Sequence, residues 1–183
     1  MRNVRASHIG VVAVLLTLGI AGRLLPHPPG VTPVAACALF AGFFFARALW
    51  AVLIPLTALF VSDLVLGGYA LPTMLVVYAA LSLPVWLRMF LKNRPTAVRV
   101  GLCSLAMSAF FFLSTNLAVW AFSGMYVKTL GGLGQCFAAA VPFFRYTVIG
   151  DLCWSGAIFG AYAIVMAARR KPIGLLVRPN TVA

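Results

Sequence analysis

Long apolar runs, broken only by short proline, glycine and basic segments, dominate this chain and leave almost no room for anything else. Hydrophobic residues make up 63% of its 183 positions, and its mean hydropathy is +1.06. Such a chain is a polytopic membrane protein, because a spanning helix takes roughly 20 apolar residues and leaves little over for a soluble catalytic or nucleic-acid-binding domain. A single transmembrane domain over residues 1–183 is expected, all-α, since only helices or closed barrels satisfy their backbone groups in lipid.

Six helices follow from the punctuation. The first runs from about His8 to Leu25, preceded by Arg2 and Arg5. It resembles a secretory signal peptide but is expected to be a retained helix, because no clear small-x-small cleavage site follows it. Pro26-His27-Pro28-Pro29-Gly30 stops it. Thr32 then caps a short second helix, about Pro33 to Ala46, with Pro33 at its first position. The third runs from about Leu49 to Leu66 and stops at Gly67-Gly68. The fourth covers about Leu71 to Phe90 and contains Pro84. The fifth covers about Val100 to Phe122. After a Gly-rich segment with a short interfacial helix, Pro142 opens a sixth that ends near Ala168.

An even helix number puts both termini on one side. That side receives Arg2, Arg5, Arg47, Arg88, Lys92, Arg94, Arg99, Arg169, Arg170, Lys171 and Arg178, which is 11 of the 14 basic residues. The other side receives Arg23, Lys128 and Arg145. Cytoplasmic loops carry an excess of Lys and Arg, so the termini are expected in the cytoplasm of a bacterial inner (plasma) membrane, as a multi-pass protein. The net charge of +12 therefore reads as orientation and attraction to anionic lipids, and not as nucleic-acid binding.

Against this background only two residues are acidic, Asp63 and Asp151, and both fall inside apolar runs. A charge in hydrocarbon is costly unless it faces a partner or a watery cavity. On the expected topology Asp63 lies near the outer end of helix 3, and Asn116 near the outer end of helix 5. Arg145 and Asp151 lie in the outer half of helix 6, with Asp151 roughly 14 Å below Pro142. Arg23 and His27 stand at the first outer loop. Trp154 and Phe112 share helical faces with Asp151 and Asn116. Aromatic walls with a few fixed polar groups suit a small-ligand pocket, so these eight residues form the candidate substrate-binding set. The same carboxylates also suit helix-packing contacts, bonded to backbone or to Arg23 and Arg145.

Other chemistry finds little support. The four cysteines, Cys37, Cys103, Cys136 and Cys153, form no C-x-x-C pair and read as small hydrophobes. No metal or cofactor is expected. No Ser–His or His-x-x-x-His spacing supports a hydrolase, and a two-carboxylate protease would need Asp63 and Asp151 in one site. An enzyme is not expected. Proton-coupled transport through one Asp remains an alternative, as does a structural or assembly subunit of a larger membrane complex. Small residues at Ala38-x-x-x-Gly42-x-x-x-Ala46 and Gly156-x-x-x-Gly160 permit close helix contact in either case.

The run Arg23-Leu-Leu-Pro26-His27-Pro28-Pro29-Gly-Val-Thr32-Pro33, with Ser62-Asp63-Leu-Val-Leu-Gly67, Asn116-x-x-x-Trp120, Val141-Pro142-Phe143-Phe144 and Gly150-Asp151, resembles an uncharacterised bacterial inner-membrane family. That family is similar to the S components of energy-coupling-factor (ECF) transporters, and the resemblance covers nearly the whole chain. It implies a six-helix bundle that binds a vitamin- or precursor-sized substrate near the outer face for import. It also implies partners, a transmembrane coupling protein and two cytoplasmic ATPases; the chain itself carries no ATP-binding motif. S components typically dock through small residues such as Ala-x-x-x-Ala on the first helix. Here that helix carries Ala6-x-x-x-Gly10 and Ala13-x-x-x-Thr17 instead.

Overall fold

A computed structural model describes residues 2–92 and 95–170. Arg94, Lys171 and Arg178, counted above for orientation, lie outside the described residues. Among the described residues the fold is all-helical, with seven helices and no strand. These are α1 (Arg2–Leu24), α2 (Val34–Phe44), α3 (Ala48–Leu66), α4 (Leu71–Ala80), α5 (Pro84–Leu91), α6 (Ala97–Phe122) and α7 (Leu130–Arg170). Four of them, α1, α3, α6 and α7, are long and apolar enough to cross a membrane.

The expected fourth helix divides in two. Pro84 has no N–H to continue the ladder. The chain makes a tight turn instead, with Ser82 N–H donating to Ala79 and Leu83 N–H to Ala80, and α5 starts at the proline. The expected sixth helix begins earlier than Pro142. α7 starts at Leu130, takes in the Gly-rich stretch, and continues through Pro142 for 41 residues. At about 1.5 Å per residue that is roughly 60 Å, twice the hydrocarbon thickness of a bilayer. Thr32 caps nothing: Pro33 occupies the N-cap of α2 without a side-chain bond.

α2 is the centre of the bundle. Its short length matches its setting, because eight of its residues, Val34 to Gly42 without Ala35, are buried. It packs on α1, α3, α5, α6 and α7. An all-round apolar helix of this kind has no lipid-facing stripe to present. Towards its C-terminus the core is aromatic. Phe40 meets Phe159 edge-on at 5.2 Å and Tyr162 at 5.5 Å, and Phe44 stacks on Phe40 at 5.6 Å. Towards its N-terminus the packing opens.

The strap between α1 and α2 (residues 25–33) reaches that open end by two close approaches. Gly30 has φ +82° and lies against the Thr147 side chain of α7, so a side chain there would be both strained and blocked. Gly150 of α7 faces the strap backbone, where an added Cβ would sit 2.9 Å from the Val31 Cα. The prolines keep the strap non-helical, and the two glycines let it lie flat on α7.

Candidate ligand cavity

The open end holds a cavity of about 220 Å³. Its walls come from seven places. Arg23 ends α1; Gly30 and Thr32 belong to the strap; Val34 and Ala35 begin α2; Tyr69, Val77, Ala80 and Leu81 come from α4 and its flanks; Met107 and Phe111, with Thr147 and Asp151, come from α6 and α7. Leu59 of α3 completes it. Most of these walls are apolar. The charged lining residues are Arg23 and Asp151 alone.

Arg23 is held by α3. Its Nη2 donates to Asp63 Oδ1 at 2.6 Å, the one salt bridge among the described residues. The other oxygen of Asp63 accepts from the Tyr78 hydroxyl at 3.0 Å. Both carboxylate oxygens are thus occupied, and Asp63 stands behind Arg23 rather than on the cavity wall. Arg23 Nη1 is different: it is buried with no hydrogen-bond partner, the only such side-chain nitrogen or oxygen among the described residues. Leaving a buried donor unmatched costs about 1–3 kcal/mol, and more on a charged group.

Asp151 is 4% exposed. Ser108 on α6 donates to its Oδ2 at 2.5 Å, a short charge-assisted contact. Ser104 and Ser155 continue this buried polar seam, with their hydroxyls 3.4 Å apart. No cation among the described residues bonds Asp151. Outside the helices, burial pushes the Tyr69 phenol above its usual range, with the Asp63 carboxylate adding and Arg23 opposing. Tyr69 therefore presents a neutral hydroxyl to the cavity.

The eight expected site residues divide. Arg23 and Asp151 line this cavity. Phe112 and Asn116 line a second one of about 190 Å³, which shares Phe111 and Thr147 with the first. There Phe112 packs on Phe144 at 4.5 Å between ring centroids. The Asn116 amide donates to its own helix, to the Phe112 carbonyl at 2.7 Å. Arg145 turns outward: its guanidinium lies 4.7 Å over the Tyr146 ring and donates to that hydroxyl at 2.9 Å. His27 is exposed, with Nδ1 donating to the Leu25 carbonyl at 2.7 Å. Trp154 is half-buried and lines neither cavity. Sequence reasoning missed Tyr78, Met107 and Phe111 as site residues. Met107 sits one turn from Phe111, on the α6 stripe that begins at Cys103, and that i, i+4 spacing was the available signal.

Residues 3–173 match a family of unknown function, DUF6580, and the chain belongs to that family. No curated protein and no solved structure matches it.

Proposed function

We propose that this chain is the membrane-embedded substrate-binding subunit of a small-molecule importer, with its cavity open to the outer face of the bacterial inner membrane. One observation carries the reading: an apolar-walled cavity whose two charged lining residues are a guanidinium with an orphaned nitrogen and a carboxylate with no cation. Clefts with a few convergent polar groups are the usual form of a small-molecule site.

Six spans with cytoplasmic termini fit this role. The four long helices count as four, the α4–α5 pair as a fifth, and α2 with its strap as the sixth. α2 is about 16 Å long and covers about half of a bilayer. Non-helical backbone at membrane depth is tolerated where it is enclosed by protein or lines a cavity; within the strap Gly30 and Thr32 line the cavity and Pro33 is buried, while residues 25–29 are exposed and would lie at the outer surface. Discontinuous helices of this kind recur at the binding sites of transporters. The basic residues gathered at the cytoplasmic edge support the orientation and contact with anionic lipids.

The resemblance to S components supports association with a transmembrane coupling protein and cytoplasmic ATPases. Catalysis, bound metal and cofactor play no part in the role. Thermal denaturation of the purified protein in nanodiscs, against a broad panel of vitamins, precursors and amino acids, tests the reading. A stabilising ligand is expected, because binding to the native state alone raises the midpoint. A folded protein that no ligand stabilises would contradict it.

A second reading, a structural subunit of a larger membrane complex, is favoured by one feature. A groove between α6 and α7 is lined by Gly101, Gly156, Gly160 and Ala163, and small residues let a foreign helix approach closely. Stable co-purification of a membrane complex, together with no ligand, would decide for it.

A further inference from the structure

Resting on the uptake reading, we propose that the cavity takes a small zwitterion with an apolar body, its anionic group on Arg23 and its ammonium on Asp151. Asp63 already balances the charge of Arg23 at 2.6 Å, so Arg23 needs an acceptor more than a counter-charge. Its Nη1 lacks one. As placed Nη1 is enclosed, so binding requires the guanidinium to turn, with Nη2 kept on Asp63, until Nη1 meets an acceptor in the cavity that Arg23 borders. Among the described residues Asp151 has a hydroxyl donor in Ser108 but no cation. Arg145, the other basic residue on its stretch of α7, is turned onto Tyr146.

Each simpler ligand leaves something unmet. A cation with no acceptor group answers Asp151 and leaves Nη1 unmet, and one with a neutral carbonyl offers it a weaker acceptor than a carboxylate does. An anion answers Arg23 and adds a third negative charge to a site that already holds Asp63 and Asp151. A zwitterion answers both ends and brings no net charge into a low-dielectric site. The other walls, including Val34, Leu59, Leu81 and Met107, suit an apolar body. Size limits the choice further. The cavity is about 220 Å³, below the roughly 300–1,000 Å³ of sites for drug-sized ligands, so a free amino acid fits better than a complete vitamin.

The test uses the full chain in nanodiscs and reads ligand-dependent thermal midpoints. Its probes are L-leucine, leucine methyl ester, N-acetyl-leucine, 4-aminobutyrate and 6-aminohexanoate, beside the broad panel. The amino acids differ in charge separation, while the ester lacks the carboxylate and the acetyl compound lacks the ammonium. At least one free amino acid is expected to stabilise the protein, with the ester and the acetyl compound at least ~10-fold weaker, since a charge-assisted bond is lost. Asp151→Asn should abolish discrimination against the acetyl compound, and Arg23→Gln discrimination against the ester. The comparison of ligands on the unaltered protein decides the matter even if a variant fails to fold. Equal binding of singly charged compounds, or stabilisation only by ligands that are not zwitterions, overturns the zwitterion and leaves the uptake role standing. No stabilisation by any compound overturns both.

Discussion

Arg23 and Asp63, forty residues apart in the chain, meet at 2.6 Å through one guanidinium nitrogen and leave the other buried without a partner. The pair fixes the end of α1 to the end of α3, and with Tyr78 it ties α4 to both. It also sets a positive group at the edge of a cavity whose other charged residue is Asp151.

Asp63→Asn should destabilise the protein by about 3 kcal/mol. Removing one partner of a buried pair leaves the other charge uncompensated. Thermal or denaturant unfolding in nanodiscs measures it. Replacing both residues, as Arg23→Met with Asp63→Leu, should recover most of the loss, because no isolated charge remains. A single variant as stable as the parent would show that the pair has no structural role.

Ser108→Ala should cost about 1–3 kcal/mol, since Asp151 loses its one side-chain donor among the described residues. The same measurement reads it. Ser114→Ala is the control: that hydroxyl bonds only carbonyls of its own helix, and its loss should change stability far less.

Two glycines on α7 should behave in opposite ways. At Gly150 an added methyl meets the Val31 backbone at 2.9 Å, and backbone cannot swing aside. Gly150→Ala should therefore destabilise by about 1–3 kcal/mol, as overpacking does. At Gly156 nothing lies within 4 Å. Gly156→Ala should be neutral or stabilising by about 0.5–1 kcal/mol, the usual gain of Ala over Gly inside a helix. Equal responses would contradict the seating of the strap on α7.

The orientation is tested with single cysteines on a background in which the four native ones are replaced. Met125, in the α6–α7 link, and Lys92, after α5, are both exposed. A membrane-impermeant maleimide should label Met125→Cys in spheroplasts directly, and Lys92→Cys only after the membrane is opened. The reverse pattern would invert the topology.

How far the sequence spoke for the structure varies by element. The apolar runs and the Gly67-Gly68 stop placed α3 within a residue, because hydrophobicity and helix breakers act locally. α7 was harder. Gly131, Gly132 and Gly134 argued against helix, and Pro142 argued for a start, yet the helix runs through all of them. Tertiary packing against α6 outweighs those local preferences. Asp63 and Asp151 stood out as embedded carboxylates from composition alone. Their partners did not, since Arg23 pairs across forty residues and Ser108 across forty-three. Arg145 matched Asp151 in charge and in sequence distance, but its side chain leaves α7 on another face and rests on Tyr146. The six-residue spacing, about 240° of helical rotation, already set the two on different faces; the rotamer that lays Arg145 on Tyr146 is not written in spacing.

The most direct test is the dissociation constant of the tightest ligand from the thermal screen, compared between Asp151→Ala and Arg169→Ala in nanodiscs. Asp151 lines the cavity, whereas Arg169 lies at the far end of α7. The account predicts binding weakened by about 10- to 100-fold for Asp151→Ala, the worth of one charge-assisted hydrogen bond, and unchanged for Arg169→Ala. Equal constants for the two variants would contradict it.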